Sequence, residues 1–383
     1  MSNQESASVE KEEASSCEKG SAFLLLVCIA LIVTNILTYT TLNARIDELE
    51  MAPGAAVTSA PMVDQEKLKD FKVFNAHDHL FLIKHFNNYD KAAKRTGIAK
   101  TLFVGSSSFT IYGKKGKKDE MNDENSEEIL KLARKYPKKV VPFCTIYPGD
   151  PKKLEKLKKF AEKGAKGVKL YSGHSNFYEK ERPLDAPEML PVYAWCEENS
   201  FPICWHVRYD AFADEFLRVM GMYPKLKVIV PHFGVAFYRP NSKYWKLMET
   251  ILDKYPNVYV DTSFGTRSIL VHGLEIVSDN RKLFREFFDK YQDKIVFGTD
   301  MVVTGNKEKT PEWIEAVIRA CRNVLEKDDY FFYMAATGSP YALKKAKNKY
   351  GRLRGLALSD DILKKVYETN IERILSAAEQ GDS

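Results

Sequence analysis

His77 and His79 flank a single aspartate in the phrase FNAHDHLF, residues 74–81, directly after a short apolar run. Alternate residues of a β-strand point to one face, so two imidazoles two positions apart can reach a common point. That pair is one way to begin a metal site. Other apolar runs also end in residue types that bind metals. Lys169 lies in GVKLYSG, His206 in CWHVRYD, His232 in VPHFG and Asp300 in VFGTD. Imidazole nitrogen with carboxylate oxygen, and no thiolate, suits Zn²⁺, with Mn²⁺, Ni²⁺ or Fe²⁺ as alternatives. Singly, each residue has a plainer role: a strand-end histidine bonds its neighbours, an aspartate opens a turn, and a strand lysine reaches outward to solvent. The conjunction carries the argument, because four of the seven histidines share one kind of position. Of the other three, His85 and His272 read as ordinary helix or loop residues. His174 follows Lys169 into the next loop and can face a pocket there.

The elements that must position these residues alternate along the chain. Short apolar or β-branched runs read as strands: KVFNAH, AKTLFVG, KVVPFCTIY, GVKLY, PICWHV, LKVIVPH, NVYVDT and KIVFGTD. Amphipathic stretches of helical length lie between them. One helix is well bounded, with Asp150 as cap, Pro151 in the first turn and Gly164 as stop. Strands that are apolar almost throughout are buried on both faces, which implies a parallel sheet. Eight such units predict an α/β (β/α)₈ TIM barrel, whose ligand site lies at the carboxyl ends of the strands. An open doubly wound sheet is the alternative, but no glycine-rich dinucleotide fingerprint follows the first strand. The stretch GSSSFTIYGKKGKKDEMNDEN is a long polar loop, and GLALSDDILKKVYETNIERIL reads as two helices with Ser359 capping the first.

The N-terminal part has a different character. Residues 22–40, AFLLLVCIALIVTNILTYT, carry no charge and rise about 28 Å as a helix, close to the ~30 Å of a bilayer core. The expected organisation is a polar tail over 1–21, a transmembrane helix over 22–41, a juxtamembrane helix and linker over 42–67, and the barrel with its C-terminal helices over 68–380. A cleaved signal peptide is the competing reading, but the preceding tail is long and acidic. Lys11 and Lys19 precede the span and only Arg45 follows it closely, so a single-pass protein with an extracytoplasmic catalytic domain is expected. The chain has 383 residues, a net charge of +6 and lysines scattered among glutamates, which gives no case for nucleic acid. Its six cysteines show no Cys-x-x-Cys pair; buried thiols are expected, with disulfides the alternative.

The His-x-His on the first strand, the histidines closing the fifth and sixth and the aspartate closing the eighth resemble the amidohydrolase superfamily. The phrases WHVRYD, MYPKLKVIVPHFG, VYVDTSFG, IVFGTDMVV and LSDDILKKVYETNIERIL are similar to its amidohydrolase-related family 2. The resemblance covers roughly residues 70–378. It implies a metal-dependent barrel enzyme, usually hydrolytic, whose relatives also decarboxylate, hydrate or isomerise small carboxylic acids. It implies that His77, His79, His206 and Asp300 bind one divalent ion, most often zinc. His232 would be a ligand of a second ion or a catalytic group, and Lys169 stands where binuclear members carry a carboxylated bridging lysine.

The leading expectation is hydrolysis of an amide, ester or lactone in a small substrate by metal-activated water, with Asp300 moving the proton. Non-oxidative decarboxylation of a small carboxylic acid is the alternative, and a non-catalytic barrel the third reading. Arg208, two residues beyond His206, can point to the same mouth and bind an anionic substrate group. Arg239, Tyr171 and His174 are further substrate-binding candidates. Asp78 faces away from the two histidines and is expected to make structural contacts. The number of ions, the substrate and the oligomeric state stay open at this level.

Overall fold

The computed structural model of the protein describes residues 62–112, 121–173, 182–265, 267–333 and 351–376. Residues 22–41, the expected membrane helix, and His174 lie outside these. Among the described residues no helix is long and apolar enough to cross a membrane.

The strand-like runs do form strands, and all of them pair in parallel. They are β1 (Val73–Leu80), β2 (Ile98–Gly105), β3 (Val140–Thr145), β4 (Gly167–Ser172), β5 (Ile203–Val207), β6 (Val228–Val230), β7 (Val258–Asp261), β8 (Ile295–Val296) and β9 (Met301–Val303). Neighbours in sequence are neighbours in the sheet from β1 to β8, and β9 pairs with β1. The segment 295–303 thus joins both edges, with β7 on one side and β1 on the other. Between its two strands, the Ala76 amide donates to Phe297 O at 2.7 Å and the Asp300 amide to His77 O at 2.7 Å. The curled sheet and its surrounding helices form a TIM-barrel-like α/β fold, with the eighth barrel strand interrupted just before Asp300.

The barrel interior is filled, as the fold requires. Phe74, Ala76, Leu102, Val104, Phe143, Cys204, Ile229, Tyr259 and Val296 form one buried cluster with Ile371 and Ile374. The last two belong to the C-terminal segment, so that segment plugs the end of the barrel opposite the strand-end histidines. The plug is tied to the eighth strand: the Phe297 amide donates to Val366 O at 2.9 Å and Asn370 Nδ2 to Ile295 O at 2.8 Å. Ser359 caps the run, as its sequence predicts, by accepting from the Ile362 amide. The run is continuous where two helices were expected. Asp360–Lys364 passes through a π-helical turn, Lys365–Thr369, into Asn370–Ser376.

The fold begins earlier than residue 68. Met62–Val63 pairs antiparallel with Asp329–Tyr333, which also pairs with Arg352–Arg354 in a small separate sheet. The helix expected from residue 150 spans Lys153–Glu162. Asp150 still accepts the Lys152 amide at 2.8 Å, but in the turn before the helix. Cys144, Cys196, Cys204 and Cys321 are buried thiols.

Candidate metal centre

Strict alternation along β1 would put Phe74 and Ala76 on one face and His77 and His79 on the other. A bulge changes this. Asn75 pairs with Thr101 but Asp78 pairs with Phe103, so three steps on β1 match two on β2. The extra residue turns the strand over. Phe74 and Ala76 therefore fill the barrel interior lower down, while His77 and His79 enter it at the mouth. Asp78 is left facing outward, as the sequence predicts.

Asp78 has a defined task there. Its carboxylate accepts from Asn75 Nδ2 at 2.7 Å, Thr299 Oγ1 at 2.5 Å and the Met301 amide at 2.8 Å. Asn75 Oδ1 accepts the Thr299 amide at 3.2 Å. These bonds grip the residues on either side of Asp300, whose backbone is left-handed at φ 49°. That conformation is uncommon outside glycine, though aspartate tolerates it better than most residues. It aims the Asp300 carboxylate back at the two histidines.

Asp300 Oδ1 lies 3.2 Å from His79 Nε2 and 3.4 Å from His77 Nε2, and Oδ2 lies 3.8 Å from His232 Nε2. Lys169 Nζ is 3.1 Å from His77 Nε2, 3.4 Å from Cys204 Sγ and 5.1 Å from the centre of the Tyr171 ring. The His206 ring lies 5.4 Å from that of His232 and 6.4 Å from that of Tyr171. His77, His79, Lys169, His206, His232 and Asp300 therefore converge, although they span more than half the chain. His77, His79 and Asp300 are the tightest trio.

Burial lowers the His79 pKa to about 4 against the pull of Asp300, and burial lowers that of His232 as well. Burial also pushes the Asp300 carboxyl up, but His77 and the hydrogen bond from His79 outweigh it and hold it well below the usual range. Neutral His79 and His232 beside the Asp300 carboxylate are in the protonation states that ligate metals. The spacing fits too. Two ligands at ~2.05 Å from one tetrahedral ion stand about 3.3 Å apart; Asp300 Oδ1 stands 3.2 and 3.4 Å from the two imidazole Nε2 atoms, and the ligand atoms of the trio all lie within 4.8 Å of one another. His77, His79 and Asp300 therefore lie close enough to hold a divalent ion.

Asp261, at the end of β7, belongs to the same strand-end set and was missed from sequence. It closes NVYVDT just as Asp300 closes its own run, and that signal could have found it. Its carboxylate is buried and accepts from His77 Nδ1 at 2.8 Å, the His232 amide at 2.9 Å, the Ser263 amide at 3.0 Å and Ser263 Oγ at 2.5 Å. Burial acts to raise its pKa, but His77 and these bonds prevail and set it at about 2. Gly298 makes room below: a Cβ there would lie 3.1 Å from His77 Cβ and 3.3 Å from Asp261 Cγ. A row of hydroxyls forms the neighbouring wall, with Ser106 Oγ 2.8 Å from Thr145 Oγ1 and 2.7 Å from Tyr171 Oη.

The other expected substrate contacts fall differently. Arg208 makes two hydrogen bonds to Asp210, from Nε at 2.9 Å and Nη2 at 2.5 Å. Arg239 is exposed and lies over the Tyr244 ring. His272 stacks near Tyr238, and His85 packs near Gly305.

Fold and site together define a barrel protein with a histidine–aspartate cluster suited to a divalent ion at the carboxyl ends of its strands. The chain belongs to the Amidohydro_2 family, described as amidohydrolase, which matches residues 110–376. The family is typically metal-dependent and includes hydratases, hydrolases and decarboxylases. No curated protein matches the sequence. Solved structures with a similar fold include a 4-oxalomesaconate hydratase from Rhodopseudomonas palustris, at 13% identity and a TM-score of 0.51, over 81% of this chain and 97% of that one. An uncharacterized TIM-barrel protein from Bordetella bronchiseptica is similar at 16% identity and a TM-score of 0.50, over 80% of this chain and 99% of that one.

Proposed function

We propose that the protein is a metal-dependent hydrolase of a C–N or C–O bond (amide, ester or lactone) in a small organic substrate. The observation that carries this reading is the convergence of His77, His79 and Asp300, with His206, His232 and Lys169 around them. His77, His79, His206 and Asp300 would hold the ion, most simply Zn²⁺. A divalent ion there would supply Lewis acidity and lower the pKa of water to about 7. Asp300, an anion at neutral pH, is placed to take a proton on a carboxylate oxygen and return it to the leaving group. His232 presents Nε2 towards Asp300 Oδ2 and would serve as a ligand of a second ion or as a catalytic group on the substrate. Tyr171 would line the pocket. Lys169, buried against His77, is the candidate for a carboxylated bridging residue should a second ion bind.

The same residues could serve decarboxylation of a small carboxylic acid. That reading leans on a cation for the substrate carboxylate: Arg208 is bonded to Asp210, and Lys169, the other candidate as an ammonium beside a single ion, stands against His77. Hydrolysis is therefore preferred. Residues 22–41 are proposed as a membrane anchor on sequence grounds alone.

The test is metal analysis of the full chain, followed by a panel of small amides, esters, lactones and carboxylic acids turned over in ¹⁸O-labelled water. Label in the acid product, lost in His206→Ala with the fold retained, supports hydrolysis. CO₂ release without label would replace it with decarboxylation. Protein purified with zinc present but holding no metal would remove both.

A further inference from the structure

One carboxylate ends two hydrogen-bond chains that begin on different strands. His77 Nδ1, from β1, reaches Asp261 Oδ2 directly at 2.8 Å. His232 Nδ1, following β6, lies 2.9 Å from Ser263 Oγ and 3.3 Å from Ser263 O. A carbonyl oxygen can only accept, so His232 Nδ1 carries the hydrogen. Ser263 Oγ then accepts from His232 and donates its own hydrogen to Asp261 Oδ1 at 2.5 Å. The same oxygen accepts the His232 and Ser263 amides. Asp261 therefore faces donors only. His232, Phe233 and Val235 all have left-handed backbones, with φ of 58°, 50° and 57°, and the His232 amide is one of the groups Asp261 holds.

We propose that Asp261, acting directly on His77 and through Ser263 on His232, is the positioning residue that fixes both imidazoles as Nδ1–H tautomers. Both Nε2 lone pairs are then turned to the cluster, where Lys169 Nζ, Asp300 Oδ1 and Asp300 Oδ2 already face them. The proposal rests on the metal-site reading for its purpose, though the tautomers can be measured without metal. It also separates His77 from His79. The His79 Nδ1 atom is buried with no partner among the described residues, and the polar contact of that ring is Nε2 with Asp300 Oδ1 at 3.2 Å, so its tautomer is set from the other nitrogen.

Asparagine keeps the shape of Asp261 but cannot satisfy donors on both sides. With its NH₂ towards His77 it forces that Nδ1 to accept and moves the hydrogen to Nε2, the atom that should ligate. With its NH₂ the other way it opposes the His232 and Ser263 amides. The same logic operates in serine-protease triads, where changing the aspartate to asparagine keeps the geometry but costs activity through the wrong histidine tautomer.

The experiment is ¹⁵N NMR of the full chain with labelled histidine, whose seven rings are assigned by single His→Gln variants, together with Zn²⁺ affinity by chelator competition. Metal-free wild type should show His77 and His232 as Nδ1–H. Asp261→Asn should move His77 to Nε2–H, leave His79 unshifted, and weaken Zn²⁺ binding roughly 10–100-fold. Ser263→Ala, a milder change should Asp261→Asn not fold, leaves His232 Nδ1 only the backbone carbonyl of residue 263 at 3.3 Å, so His232 should become a mixture of the two tautomers while His77, still bonded to Asp261, stays Nδ1–H. An Nε2–H tautomer at His77 in the wild type, or tautomers and Zn²⁺ affinity unchanged in the variants, overturns the proposal. Wild type with both Nδ1–H tautomers but no Zn²⁺ binding would overturn the metal reading instead.

Discussion

Thr299 touches neither the histidines nor Lys169 through any polar contact, yet replacing it by valine should damage the site. Its hydroxyl donates to Asp78 Oδ1 at 2.5 Å and receives Asn75 Nδ2 at 3.1 Å, and the residue is fully buried. Valine fills the same volume without the hydroxyl. Asp78 would keep two donors, Asn75 Nδ2 and the Met301 amide, but lose its shortest bond in a place water does not reach. Burial raises the Asp78 carboxyl to about 7, so it is partly ionised at neutral pH; a hydrogen bond contributes about 0.5–1.5 kcal/mol to a neutral group and about 1.5–3 kcal/mol to a charged one, and a buried acceptor left short bears its desolvation cost as well. Thr299→Val should therefore lower unfolding stability by about 2–3 kcal/mol, a large share of the roughly 5–15 kcal/mol typical of a domain. Asp300 is the next residue, so Zn²⁺ affinity should fall with it. Urea unfolding of metal-free protein measures the first effect without linkage to bound metal, and chelator competition the second. Thr299→Ser, which loses one methyl group, should cost only about 1 kcal/mol. If valine costs under about 0.5 kcal/mol, or serine costs as much as valine, the grip of Asp78 on this segment has been misjudged.

Other expectations test the frame around the site. Glu326→Ala removes the carboxylate 2.6 Å from the buried Arg322, leaving its charge only the Thr96 and Lys69 carbonyls, and should cost about 3–5 kcal/mol in urea unfolding; a loss below 1 kcal/mol would mean those carbonyls suffice to compensate the charge. Ile371→Ala opens a cavity in the barrel plug and should cost about 2–5 kcal/mol with Zn²⁺ affinity within twofold of wild type; a large change in affinity would show that the plug and the mouth are coupled. Burial raises the pKa of the Cys204 thiol to about 11 and raises those of Cys144, Cys196 and Cys321 too. None of the four should be alkylated in native protein at neutral pH, and peptide mapping that finds any of them modified before unfolding would contradict their burial.

Sequence alone determined the features whose signal is local. Apolar runs of strand length separated by amphipathic helices announced a parallel barrel, because each element shows its own burial in its own period. Polar residues closing those runs, His77, His79, Lys169, His206, His232 and Asp300, gave the cluster its composition. Ser359 as a cap was legible for the same reason. Tertiary structure decided everything that depends on a neighbour distant in the chain. The bulge between Asn75 and Asp78 puts both the interior residues of β1 and its histidines inside one barrel, and it exists only as a mismatch with β2. The left-handed turn at Asp300 is held by Asn75 and Asp78 from across the sheet. Arg208 found Asp210 and Asp261 found His77 through side-chain geometry that no periodicity encodes. The physical division is between backbone alternation, which is written within each segment, and register and hydrogen-bond pairing, which arise only when segments meet.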